Sequence, residues 1–122
     1  MQYLLMLYGD QSTWPNQTDT EHGVEMSAFA EFERQARAAG VWITEHALQP
    51  AQEAVSVRRS DGGEPVVSEG PLADTKEQMG AFYILECRDR EEAADWAKKV
   101  PLVGAGGFSS VEVRPILTGT PY

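Results

Sequence analysis

Between Val67 and Gly80 the chain sets Glu69, Asp74, Lys76 and Glu77 around a Gly70-Pro71 turn, then runs straight into the apolar stretch Ala81 to Cys87. Charged groups tolerate burial only when paired, so a strand entered through so many of them marks the place to look for a site. Glu45, Arg58 and Arg114 fall at or next to strand ends elsewhere and join the same set. A carboxylate can move a proton, and a guanidinium can hold a carboxylate or phosphate through forked hydrogen bonds. On that chemistry Glu45, Asp74 and Glu77 are the candidate catalytic groups, and Arg58, Lys76 and Arg114 the candidate ligand-binding cations, around a polar cleft. The same opposite charges can instead form a paired network that fixes the turn and seals an interface, with no substrate. Both readings are open at the level of sequence.

Other chemistries find less support. An imidazole at His46 titrates near neutrality, but neighbours on a strand point to opposite faces, so Glu45 and His46 share no pocket by adjacency alone. His46 therefore reads as a surface or satisfied core residue, and His22 as part of a polar loop. Two histidines, one cysteine and scattered carboxylates give no metal-ligand spacing, so neither a metal nor a cofactor is expected. The glycines of Gly104-Ala-Gly-Gly107 precede a strand and lack the strand-to-helix setting of a dinucleotide loop. No Gly-x-Ser-x-Gly, phosphate loop or metalloprotease helix is present. Trp42, Phe82, Tyr83 and Trp96 can line an aromatic pocket, though aromatics facing a sheet more often form core.

The elements that must position these groups follow from periodicity. Tyr3 to Tyr8 is a nearly continuous apolar run closed by Gly9-Asp10, as in a central strand covered on both faces. Asp10 to Gly23 reads as loop. Met26, Phe29, Phe32, Ala36 and Ala39 recur at helical steps, predicting a helix over 24–39 that Gly40 stops. Residues 41–48 are rich in β-branched and aromatic side chains and predict a second strand. Residues 54–59 and 64–68 flank Ser60-Asp-Gly-Gly63 as an inserted β-hairpin, and 78–88 is a further strand. Asp89 and Glu92 then resemble a capping box that opens a helix ended by Pro101, and 108–117 is the last strand. The order, β-α-β, hairpin, β-α-β, predicts an α+β, ferredoxin-like βαββαβ sheet with both helices on one face. If its other face is apolar, a second copy of the chain is its simplest cover, which predicts a homodimer.

Totals bound the function. One domain spanning 1–122 is expected, and 42% hydrophobic with 24% charged residues places it among ordinary globular proteins. A net charge of −9 opposes a nucleic-acid backbone, so nucleic-acid binding is not expected. The apolar start is too short to span a bilayer and lacks a basic leader, and Cys87 on an apolar strand reads as an inert buried thiol. A cytoplasmic protein without membrane contact is the expectation.

The residues also resemble a known family. Tyr3-Leu-Leu-Met-Leu-Tyr-Gly-Asp10, Thr44-Glu-His-Ala-Leu-Gln-Pro50, Val57-Arg58, Ser68 to Glu77, Trp96 and Val111-Glu-Val-Arg-Pro-Ile116 look like the YCII-related proteins, in the branch called the DGPF domain. Glu69-Gly-Pro-Leu72 stands where that branch has Asp-Gly-Pro-Phe. The resemblance implies a dimeric α+β barrel, two ferredoxin-like sheets packed face to face. It implies little about activity; a small-molecule binding or accessory role, linked through a protein partner to sigma-factor regulation, fits the gene context of some members. A branch with a dehydrochlorinase uses a His at the start of helix one and an Asp before the Pro after helix two. Residues between Ser27 and Phe29, and Val100, occupy those positions here, so that acid-base pair does not carry over. The remaining catalytic reading is an enzyme acting on a small organic acid, with a carboxylate base and an arginine clamp.

Overall fold

A computed structural model describes residues 1–103 and 106–118, and parts of the glycine-rich connection and of the polar tail lie outside them. Its elements are β1 (Gln2–Gly9), α1 (Asp19–Ala38), β2 (Trp42–Ala47), β3 (Val55–Arg59), β4 (Pro65–Glu69), β5 (Gln78–Glu86), α2 (Arg90–Ala97) and β6 (Ser110–Pro115), with short 3₁₀ turns at Gln11–Asn16 and Ala51–Glu53. Four strands form one sheet in the order β2-β5-β1-β6, every neighbouring pair antiparallel. This is the α+β, ferredoxin-like arrangement expected from the element order. β3 and β4 pair with each other in a separate two-stranded ribbon, as an inserted hairpin should.

The alternation of strand side chains sorts the sheet into two faces. Tyr3, Leu5, Leu7, Ala81, Tyr83, Leu85 and Cys87 point to the helix side and pack with Phe32, Ala93 and Val100 into the core. Leu5, Leu7 and Leu85 are fully enclosed. Burial pushes the Cys87 thiol up to about 11, with smaller contributions from neighbouring carboxylates, which keeps it protonated and inert at neutral pH. Leu4, Met6, Tyr8, Phe82 and Ile84 alternate to the helix-free face, where Tyr8 reaches the Met6 sulfur and Phe82 lies against His46.

Helix boundaries differ from expectation in instructive ways. α1 starts at Asp19, five positions ahead of the expected start at Val24, because Thr18 accepts from the Glu21 amide while the Glu21 carboxylate accepts from Thr18. Its first turns carry no core residue; Phe32 and Ala36 are buried, whereas Met26 stays 46% exposed. Gly40, at φ +76°, closes the helix as the sequence suggests. α2 ends at Ala97, and tighter bonds from Lys99 to Trp96 and Val100 to Ala97 carry the chain on to Pro101.

The α2 start is also half of the expected box: Asp89 accepts from the Glu92 amide at 2.8 Å, but Glu92 reaches back to the amide of Arg88 at 2.7 Å. Asp89→Ala removes the side chain that caps the first turn of this short helix. Its expected cost is about 1 kcal/mol in urea unfolding, with the slope of the transition unchanged.

Candidate functional site

The charged stretch that precedes β5 folds as a loop built on the ribbon. Gly70, at φ +90°, donates its amide to the Ala54 carbonyl at 2.7 Å, and Ser56 donates its hydroxyl to the Gly70 carbonyl at 2.6 Å. Arg58 on β3 donates to the Leu72 carbonyl at 2.9 Å. Further on, Thr75 bonds the Glu77 carbonyl, and the Gln78 side chain returns to the Thr75 carbonyl. The loop is thus held mainly by backbone carbonyls accepting from side chains, which fixes its path without using its carboxylates.

This leaves Glu77 free to be oriented by the last strand. Its two oxygens accept from the hydroxyls of Ser109 at 2.8 Å and Ser110 at 3.3 Å. Tyr8, at the end of β1, stands opposite Ser110 in the sheet register and brings a phenol to the same corner. Together with Leu48, Pro50, Ala54, Pro71 and Met79, Tyr8 and Glu77 line a cavity of about 410 Å³ between the 48–54 turn and the 71–79 loop. Tyr8, Thr75 and Glu77 also line a second, shallower hollow on the β6 side. Glu77 therefore sits at a junction of two concavities, a carboxylate fixed by donors and reachable from solvent.

Next to the loop cavity, Gln11 ties its walls together through main-chain and side-chain bonds. Its amide nitrogen donates to the Gln78 side chain and its side-chain oxygen accepts from the Ala51 amide at 2.9 Å. Its Nε2 is buried with no hydrogen-bond partner among the described residues. An unpaired buried donor is costly, so a group that accepts from it is favoured at this spot.

The other candidates lie elsewhere. Asp74 and Lys76 are exposed on the loop, and Lys76 contributes with the Ser12 hydroxyl, the larger cause, to holding Asp10 below the usual carboxylate range. Arg58 is exposed and engaged with Leu72, and Arg114 pairs with Glu112 at 2.7 Å on the helix-free face of β6. Glu45 stands on the helix side of β2, opposite Tyr83, while His46 lies on the other face. The strand period had separated that pair correctly. The structure thus brings together Glu77, Tyr8, Thr75 and the two serines, and does not gather Glu45, Arg58, Asp74, Lys76 and Arg114 around them. The serines and Tyr8 were missed: they come from the two ends of the chain and meet Glu77 only through the β1–β6 pairing. Among the described residues no three His, Cys, Asp or Glu side chains are placed to share a metal ion, and no helix is long and apolar enough to cross a membrane.

Comparison with known proteins places this geometry in context. The family model described as the YCII-related domain matches residues 1–117. An uncharacterized protein of Rhizobium meliloti (strain 1021) is 32% identical over 124 residues, spanning 99% of this chain and 96% of that protein.

Proposed function

The chain belongs to the YCII-related domain family, and we propose that it is a cytoplasmic small-molecule binding or accessory protein of that family's DGPF branch, acting as a homodimer. The observation that carries the reading is the loop cavity of about 410 Å³, apolar in most of its wall, with Glu77 held in place by two hydroxyls. Sites for small organic ligands have this make-up, a largely apolar concavity with a few oriented polar groups. The lining carboxylates Glu53 and Glu77 accept from a hydroxyl or N–H of the ligand, and Lys76, next to Glu77 on the exposed loop, is the cation available to an acid end. The dimer reading rests on the apolar stripe Leu4, Met6, Tyr8, Phe82 and Ile84, which a second sheet covers face to face. Regulation through a sigma factor would run through protein contacts, because the net charge of −9 repels nucleic acid.

The position of Glu77 also favours a second reading, an enzyme in which this carboxylate takes a proton from a small organic acid. Arg58 or Lys76 would be the clamp, with Arg58 leaving the Leu72 carbonyl to serve. Asp74 and Arg114, on the surface outside the cavity, have supporting roles at most in this scheme.

Glu77→Gln separates the site from the scaffold, since the serine hydroxyls still find an acceptor in the amide oxygen. In a thermal-shift screen of small carboxylates, phosphates and aromatic acids, a ligand at 100 times its Kd stabilises by about 2.7 kcal/mol. The expected result is a shift in the native protein that Glu77→Gln loses while its unliganded Tm stays within a few degrees. A flat screen, or a shift that Glu77→Gln retains in full, removes the small-molecule reading and leaves the protein-partner role.

A further inference from the structure

On the opposite side of the sheet from the dimer stripe, a second cavity of about 360 Å³ lies between α1 and the β2–β5 edge. Three of its lining side chains are carboxylates, Glu25 and Glu33 from the helix and Glu45 from β2, and none is a lysine or arginine. Four more are aromatic: Phe29, Trp42, Tyr83 and Phe108. Apolar walls focus the field of the charges they enclose, and aromatic faces carry the negative end of their quadrupole, so both kinds of lining attract a cation. The anion clamp expected from sequence has no counterpart here; the sign of this site is reversed.

The polar groups of the lining differ in how far they are already paired. Glu25 accepts from the Gln17 side chain at 2.9 Å, and Glu33 pairs with Arg37 at 2.8 Å. Glu45 has no hydrogen-bond or ion-pair partner among the described residues. Tyr83, its register partner across the β2–β5 ladder, lines the cavity while only 4% exposed, and its hydroxyl likewise has no partner among the described residues. Phe32 and Trp42 hold the Tyr83 ring from two sides, with centroids 5.0 and 5.5 Å away, so the phenol is fixed in orientation. A phenol oxygen and a carboxylate that line the same cavity, with no partner among the described residues, are both free to accept from one occupant. Trp42 already receives one cation, the Arg37 guanidinium carbon at 5.0 Å from its ring centroid, which shows that its environment suits positive charge.

We propose that this cavity binds a small organic ammonium carrying an apolar or aromatic tail, its N–H groups donating to the Glu45 carboxylate and the Tyr83 oxygen, its tail among Phe29, Trp42 and Phe108. Burial, and then the charges of Glu45 and Glu33, push the Tyr83 phenol above its ordinary range, which keeps it protonated at neutral pH. A neutral phenol of this kind still accepts from the ammonium through its oxygen. The site is independent of the loop cavity around Glu77 and, being on the helix side, stays open in a sheet-to-sheet dimer.

The test uses three soluble probes of one shape: 2-phenylethylammonium, neutral 2-phenylethanol and anionic phenylacetate. Amide NMR of the full chain during titration is expected to show saturable shifts for the ammonium at Trp42, Ala47 and Ala81, and binding at least about tenfold weaker for the other two. Glu45→Gln, at a partly exposed position, should weaken the ammonium by about tenfold or more, and Tyr83→Phe, which keeps the ring in the core, by a smaller factor. The proposal is overturned if 2-phenylethanol binds as well as the ammonium, if Glu45→Gln binds it as the native protein does, or if no binding saturates in the millimolar range. Shifts centred on Thr75 and Met79 would assign the amine to the loop cavity and overturn it too. Loss of ligand in Glu77→Gln with these shifts intact would leave this site standing and bear only on the first.

Discussion

Leu85→Ala is expected to lower the unfolding free energy by about 3 kcal/mol, a fall of roughly 12 °C in Tm for a domain of this size. Leu85 is fully enclosed and central to the sheet, paired with Tyr3 on β1 and with Trp42 on β2. The layer above it, Ala93 and Val100 from the second helical unit, belongs to the same core cluster. Removing most of its side chain costs both the transfer energy and the cavity left behind, because neighbours held by three antiparallel ladders collapse little into the gap. Val67→Ala on the ribbon, where the side chain is 66% exposed, serves as the control and should change stability by less than about 0.5 kcal/mol. Equal losses in urea unfolding would mean that the core does not lie between sheet and helices.

Ile84→Asp is expected to turn the dimer into a monomer that keeps its fold. Ile84 sits in the middle of the helix-free face, opposite Leu4 and Thr44 in register, and is half-buried within the single chain. A carboxylate there costs little to the isolated protomer, whose face it leaves in water. Buried against a second copy it is set into the apolar stripe, while Arg114, the cation on this face, lies two strands away and is already paired with Glu112; both protomers carry the change under two-fold symmetry. Light scattering across a dilution series, with circular dichroism to follow the fold, reads the outcome. A variant that stays dimeric places the contact on another surface.

Much of the architecture is legible because local chemistry and fold agree. Gly40 and Gly63 adopt positive φ where the sequence calls for a helix stop and a hairpin turn, and the period of two in β2 separates Glu45 from His46. The start of α1 was missed because the Thr18–Glu21 box lies ahead of the apolar stripe, and a cap can begin a helix that has not yet reached the core. The bulges between Leu7 and Tyr8 and between Trp42 and Thr44 leave no clear mark in the residues, since each depends on two strands at once. The candidate site suffered for the same reason. Position next to a strand end gathers Glu45, Arg58, Glu77 and Arg114 in the sequence, but does not say which end or face each occupies. Arg58 was read as a clamp for a ligand and holds a loop carbonyl; Glu77 was chosen for its neighbours in sequence and is oriented by serines from the far end of the chain.

The β3–β4 ribbon pairs with no strand of the larger sheet among the described residues, and Val55, Val57, Val66 and Val67 are all more than half exposed. Two strands with so little apolar burial are marginal by themselves, so this unit opens at a free-energy cost well below that of the whole domain. The loop that walls the cavity is fastened to it through Ser56 and Arg58. When the ribbon opens, the pocket therefore loses its outer wall while the sheet beneath remains folded, so the site has a lower melting point than the domain that carries it.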